Sequence, residues 1–485
     1  MRSIFVKPIA TRTRALAFTA LPLLLVCLSV HARADEDEKT ISDSDITNAV
    51  ERELITADEV ASHRIDVATR DGVVELSGLV NNLLAKRYAT REAETIKGVR
   101  AVVNYIQVFS KGLTDNQIQN NVLKALSEDP ATDTWEITVD VEDGVATLEG
   151  TVDSYAEREL AEDVAASSQG VTGIDNQMDV DFDTSRTDSE IERDIAGRLA
   201  ASAWIDDGLI DIQARGGKVT LSGSVGSAAE KSLAKRKAWV AGVRLVDTDR
   251  LEVKWWLRNE MQRDGGYANL DDAAIQDAIL DAYSDDPRVA PFDVTVVAFH
   301  GAVTLTGVVD NLKAKRAAEE DARNTKGVWR VDNYLRVRGE SVASDRETLA
   351  DVNAALQRDT YLDQFDVGVT VGNGHVFLRG TVDSQFEKER AEDVVSTVAG
   401  VAAVTNHLRV ADDYDSVSDD LNLKTDIDMQ LSWSPYLDLD QIDVTVTDGV
   451  ATLTGTVDNW TQWGAAQDNA LEAGARRVIN NLQIK

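Results

Sequence analysis

The 485 residues read as an α+β chain of six tandem αββαβ units, each a three-stranded sheet covered on one face by two helices. Three observations lead there. A β-hairpin frame recurs six times. Apolar faces of helical period flank it on both sides. The spacing of the copies sorts them into two sets of three. Internal repetition carries the most weight, because an overlooked repeat misassigns the whole fold.

The hairpin frame is Asp71-Gly72-Val73-Val74-Glu75-Leu76-Ser77-Gly78, and it returns at 143–150, 216–223, 300–307, 373–380 and 448–455. Alternating runs precede it, such as Ile137-x-Val139-x-Val141 and Ile442-x-Val444-x-Val446, and a period of two marks a half-buried strand. The first glycines (Gly72, Gly144, Gly217, Gly301, Gly374, Gly449) sit between two such runs, where a tight turn needs positive φ. The second glycines (Gly78, Gly150, Gly223, Gly307, Gly380, Gly455) fall inside the second strand, a place that signals a bulge or the close approach of another backbone.

Helices follow from the flanks. Ile46/Val50/Leu54, Ile118/Val122/Leu126, Ile191/Ile195/Leu199 and Leu423/Ile427/Leu431 each mark one helical face upstream. Ser154-x-x-Glu157, Ser227-x-x-Glu230, Ser384-x-x-Glu387 and Asn459-x-x-Gln462 resemble capping boxes that open a second helix. That helix stops near Gly98, Gly170, Gly242, Gly327, Gly400 or Gly474. A closing strand such as Asn104-Tyr105-Ile106-x-Val108 ends the unit. The units span 42–108, 114–180, 187–253, 270–337, 343–410 and 419–485, with a junction at 254–269.

The copies are unequal. Residues 78–108 and 307–337 share 16 of 31 positions, 150–180 and 380–410 share 15, and the neighbouring first two copies share 8. Gly78 to Gly307, Gly150 to Gly380 and Gly223 to Gly455 are separated by 229, 230 and 232 residues. A three-unit block that duplicated accounts for this, with the seam at 254–269. The seam is expected to be protease-sensitive and to yield two three-unit halves. The short linkers favour contact between neighbours without setting an angle.

The unit resembles the BON domain, the module of bacterial OsmY-like osmotic-shock and nodulation proteins. Asp143–Asp153 and Asp448–Asp458 carry its hairpin sequence, and Gly400–Val410 carries its closing strand. The resemblance covers nearly all of 42–484 and implies an αββαβ fold, a periplasmic address, and a non-catalytic role in binding phospholipid or envelope partners under osmotic or envelope stress.

Residues 1–34 have the order of a cleavable export signal. Arg2, Lys7, Arg12 and Arg14 precede an apolar stretch, and Ala32-Arg33-Ala34 supplies the small-residue cleavage pattern, so cleavage is expected after Ala34. Val26 before Cys27 argues against a lipid-attachment signal. The mature chain then has no cysteine, which excludes disulfides, thiol catalysis and cysteine-ligated zinc. It would also have no membrane span. Its net charge is 45 minus 84, or −39, and that argues against nucleic acid, whose phosphates demand a basic footprint.

No constellation for chemistry stands out. His63, His300, His375 and His407 occupy separate positions in the repeats, and His300 and His375 lie at hairpin turns. No phosphate loop or metal motif is present, and no cofactor is implied. Asp412-Asp413-Tyr414-Asp415 with Asp419-Asp420 lacks the spacing and glycine of a calcium loop and reads as a solvated linker. Two features remain as candidates for lipid or partner contact. The first is a set of basic islands on the second helices: Lys86-Arg87, Lys235-Arg236-Lys237, and Lys313 with Lys315-Arg316. The second is Lys254-Trp255-Trp256-Leu257-Arg258 at the seam, a membrane-interface pattern that alternation could equally bury. The expectation is a periplasmic array of docking modules for envelope phospholipid, periplasmic proteins or outer-membrane proteins, with a stress-induced holdase chaperone as the alternative. A deep cleft with converging ionisable groups would count against the absence of a reaction centre.

Overall fold

Strand pairing in every repeat is organised by its two glycines. The computed structural model describes residues 41–60, 64–109, 112–132, 135–182, 186–256, 270–338, 344–411, 420–437 and 439–484. The expected export signal, Cys27, His63, Arg258, most of the seam and the acidic run 412–419 lie outside the described residues.

At the hairpin tips Asp71 and Gly72 have φ of 51° and 72°, and the same left-handed pair recurs in all six copies, with His300 taking the first place in repeat 4. Two successive positive φ values match the right-handed twist of the flanking strands. The mid-strand glycine marks close approach. At Gly78 a Cβ would fall 1.9 Å from the carbonyl oxygen of Arg64, which also accepts a hydrogen bond from the Leu79 N–H. The equivalent distances are 2.0 Å at both Gly223 and Gly455.

Repeat 1 shows the common order: helix Asp43–Thr56, strands Ile65–Arg70 and Val73–Val80, helix Leu83–Glu94, then a closing strand in two pieces, Ala101–Asn104 and Gln107–Val108. The hairpin strands pair antiparallel, and the closing strand runs parallel to the second one. The α+β expectation therefore holds, with the second strand central in each sheet.

Two polar ties lock the unit, and neither was read from the sequence. An aspartate at the first position of the first helix accepts both hairpin-tip N–H groups, from Asp71 and Gly72 to Asp43 at 2.9 Å each. Asp115, Asp188, Asp272, Asp345 and Asp420 repeat this clasp. Asp420, at the end of the acidic run, thus serves the hairpin. The closing-strand asparagine, Asn104 in repeat 1, donates to the Lys86 carbonyl on the second helix and accepts from the Ile106 N–H. Asn176, Asn333, Asn406 and Asn480 do the same in their repeats. The expected caps form: Ser154, Ser227, Ser384 and Asn459 each accept the N–H three residues on.

Each repeat has its own apolar core, yet residues 41–485 form one compact body. Within the first half, Leu83 of repeat 1 enters the core of repeat 2, and Arg87 pairs with Glu162 and Asp163. Tyr155 of repeat 2 packs against Trp239 of repeat 3 with the rings tilted and their centroids 4.4 Å apart, and its hydroxyl donates to the Val243 carbonyl at 2.6 Å. Ser232 of repeat 3 donates to Glu94 of repeat 1 at 2.8 Å, closing a triangle. The second half repeats part of this scheme with Leu312 in the core of repeat 5 and Arg316 on Glu392 and Asp393.

The halves are joined by backbone. Gln169 N–H donates to the Arg358 carbonyl at 3.0 Å, Ala203 N–H to Asn324 at 2.9 Å, and Lys97 N–H to Trp433 at 3.1 Å. Trp204 and Tyr436, equivalent by the 232-residue offset, meet edge to face at 5.1 Å. These contacts set an expectation for proteolysis. After cleavage within 254–269 the two fragments co-elute from a gel-filtration column as one particle. Separate elution without denaturant would show that these bridges do not hold the halves together.

Candidate functional site

Helices converge on an acidic chamber of about 1660 Å³, bordered by residues of repeats 1, 3, 4, 5 and 6. It exceeds the roughly 300–1,000 Å³ of common ligand pockets. Twelve carboxylate side chains and six arginines border it, among the described residues. No histidine or cysteine does, among the same residues. Such a cleft is what the sequence led us not to expect, since no single repeat contains it.

Its wall is clearest along the second helix of repeat 6, Trp460–Glu472. Trp460, Gly464, Asp468 and Glu472 recur at every fourth residue and all border the chamber. At one end Glu472 meets Glu53 and Glu92 of repeat 1, with carboxylate oxygens of all three within 4.8 Å of one another. Glu53 is buried and accepts a hydrogen bond from the Gln430 amide. Burial first, then the Glu472 charge, pushes the Glu53 and Glu92 carboxyls well up. Glu472 is pushed up to about 7 by burial and then by Asp468. Asp468 is pushed up to about 6 by burial and then by Glu389. Three carboxylates suit a hard cation chemically, but calcium takes six to eight oxygen ligands and the trio supplies at most half in monodentate contact.

The duplication supplies an internal comparison. Arg236 of repeat 3 corresponds to Asp468 by the 232-residue offset, and Glu159 of repeat 2 corresponds to Glu389 by the 230-residue offset. Arg236 and Glu159 face each other at 4.0 Å as an ion pair. Across the chamber, two acids hold the equivalent places. Near the other end of the wall, the Thr461 hydroxyl has no hydrogen-bond partner although the residue is only 5% exposed. The Arg323 guanidinium lies 5.0 Å above the Trp460 ring.

The basic islands are largely spent between repeats. Arg87 and Arg316 bind the acids of the next repeat, and Lys313 reaches across the halves to Asp129 at 2.6 Å. Arg236 pairs with Glu159 as above. Burial pushes the Lys237 ammonium down, opposed by nearby Asp321. Lys235 is exposed, and Lys86 and Lys315 are partly so. Lys254 pairs with Glu252 at 3.0 Å, while Trp255 and Trp256 are half-buried and meet edge to face at 6.2 Å. The structure therefore gathers Arg236 and Arg316 at the chamber, and the described seam residues Lys254, Trp255 and Trp256 do not border it. The chamber's own acids were missed. Lining up copies at the 230- and 232-residue offsets would have exposed one of them, the Arg236-to-Asp468 exchange.

The model of the family described as "BON domain" matches residues 42–108, 114–181, 187–254, 271–339, 344–412 and 419–485. The chain belongs to the BON domain family. It is 32% identical over 146 residues to osmotically-inducible protein Y of Escherichia coli strain K12, covering 29% of this chain and 73% of that protein. It is 29% identical over 148 residues to the outer membrane lipoprotein DolP of Haemophilus influenzae, covering 30% of this chain and 76% of that one. A solved structure of CdsD, a structural protein of the type III secretion system of Chlamydia trachomatis, aligns at 17% identity and a TM-score of 0.12, over 43% of this chain and 91% of that chain. Each match to a relative spans well under half of the BON chain, so a six-repeat body and its chamber have no counterpart in those alignments. No described helix of the BON chain is long and apolar enough to cross a membrane.

Proposed function

We propose that this BON protein is a non-catalytic docking scaffold of the periplasm or envelope. It contacts envelope phospholipid or envelope proteins and supports tolerance of osmotic or envelope stress. The family and the two relatives, one osmotically inducible and one an outer-membrane lipoprotein, support this reading. So do the lack of cysteine after residue 34 and the scatter of the histidines; the converging acids of the chamber weigh on the other side, although no histidine or cysteine borders it among the described residues.

The observation that carries it is a set of large aromatic side chains left exposed in or beside the strands. Tyr105 and Tyr334, 63% and 65% exposed, hold equivalent places in repeats 1 and 4 at the break in the closing strand, and Phe299, at the end of the first strand of repeat 4, is 69% exposed. Aromatic rings with a polar tip suit a half-wet interface. Several weak contacts on one body add through effective concentration.

Co-sedimentation with phosphatidylglycerol and phosphatidylcholine vesicles tests this reading. The chain is expected in the pellet with the phosphatidylcholine vesicles at least, since aromatic rings need no lipid charge and the acidic excess of the chain opposes an anionic surface. Replacing Tyr105, Tyr334, Trp255 and Trp256 by Ala is expected to reduce the bound fraction several-fold. A protein that stays in the supernatant with both vesicle types removes the lipid form of the reading. Suppressed aggregation of an unfolding client would then favour the holdase.

A further inference from the structure

We propose that the chamber binds a linear aliphatic polyamine, with one ammonium group between Asp468 and Glu389 and another on the Glu53–Glu92–Glu472 trio. This goes beyond envelope docking and does not rest on it.

Four observations converge. The first is the internal comparison: the first half pairs Glu159 with Arg236, and in the second half the equivalent Glu389 and Asp468 both border the chamber, with an acid in Arg236's place. A cation from outside the chain restores the pattern. The second is spacing. Asp468 and Glu472 lie one helical turn apart, about 6 Å along the axis. Two ammonium groups on a four-carbon chain span about the same distance. The third is the aromatic wall of Trp460, Trp463 and Tyr436, which suits methylene segments and the faces of cations. The fourth is Thr461, a residue bordering the chamber, 5% exposed, whose hydroxyl has no hydrogen-bond partner within the chain.

Charge and size favour this ligand class over a bare metal ion. Carboxylates outnumber arginines two to one around the chamber, and its volume far exceeds that of one ion. A flexible polycation neutralises acids at both positions at once, which a single ion cannot do.

The test is calorimetric titration of the full chain with spermidine at moderate salt, with Mg²⁺ at matched ionic strength as comparator. Saturable binding near one spermidine per chain is expected, with Mg²⁺ at least tenfold weaker. Asp468→Arg recreates the ion pair of the first half, so the variant is expected to fold. It should weaken spermidine at least tenfold. Glu389→Gln should weaken it several-fold without adding a cation. Asp443→Arg makes the same charge change on an exposed strand and should alter affinity less than twofold. Equal weakening by Asp468→Arg and Asp443→Arg, non-saturating heats, or equal binding of Mg²⁺ would each overturn the proposal, because each is the behaviour of counter-ions around an acidic surface. Vesicle docking is read separately, so its failure and the failure of this proposal are distinguishable.

Discussion

Glu472→Gln is expected to raise stability at pH 8 and to leave it nearly unchanged at pH 4. The sign follows from which protonation state the fold prefers. Burial and Asp468 push the Glu472 carboxyl from an ordinary 4.5 up to about 7. A carboxyl raised in the folded state binds its proton more tightly there than in the unfolded chain. Its stabilising contribution is complete below about pH 4.5 and is lost as pH rises toward 7. Every tenfold gain in proton affinity on folding corresponds to about 1.4 kcal/mol, so removing the charge should recover on the order of 2–3 kcal/mol at pH 8, allowing for protons shared with Glu53 and Glu92. Gln keeps the volume and the hydrogen-bonding capacity.

The difference between variant and wild type is the informative quantity. Asp272 and Asp345 are held below their ordinary values by the hairpin N–H groups, so their contribution runs the other way and is lost as pH falls. Those clasps are common to both proteins and cancel. Urea unfolding from pH 4 to pH 8.5 reads the difference. Parallel curves for the two proteins would show that Glu472 carries no such burden.

Gly78→Ala is expected to cost more than about 3 kcal/mol, among the largest effects of any single methyl group in this chain. Two penalties add. The φ of 128° at Gly78 belongs to a region that side-chain-bearing residues rarely enter. The new Cβ would also fall 1.9 Å from the Arg64 carbonyl oxygen, a backbone atom tied to the Leu79 N–H. Relief requires moving the start of the first strand, which breaks the pairing of Ile65 with Gly78. Repeat 1 is bonded to repeats 3, 5 and 6, so the damage should spread beyond it. Gly197→Ala provides the contrast. That glycine is helical with nothing within 4 Å of the added Cβ, and the change should stabilise by up to about 1 kcal/mol. Thermal melts of the two variants check both values. A Gly78→Ala protein melting with the wild type would show that the strand start yields freely.

Local features were legible because each depends on a few consecutive residues. The alternating runs became strands, the Ser-x-x-Glu boxes became caps, and the paired glycines took positive φ at the hairpin tips. The aspartate clasp was equally regular in all six copies, at a constant distance of 28 and 29 residues from the tip it holds. It went unread because aspartate at a helix start already has a sufficient local explanation as a favourable first-turn acid.

The sequence by itself determined the six-fold repetition, the fold of the unit and the pairing of copies across the duplication, since these follow from backbone conformational limits and from residue periods. Only the tertiary structure decided that Arg87 and Arg316 would be consumed between neighbours and that Glu53, Glu92 and Glu472 would meet. Glu53 and Glu472 stand 419 positions apart in the chain. Their encounter depends on how completed repeats dock on one another, and that docking is governed by side chains facing away from each unit's own core, where no periodic pattern marks a partner.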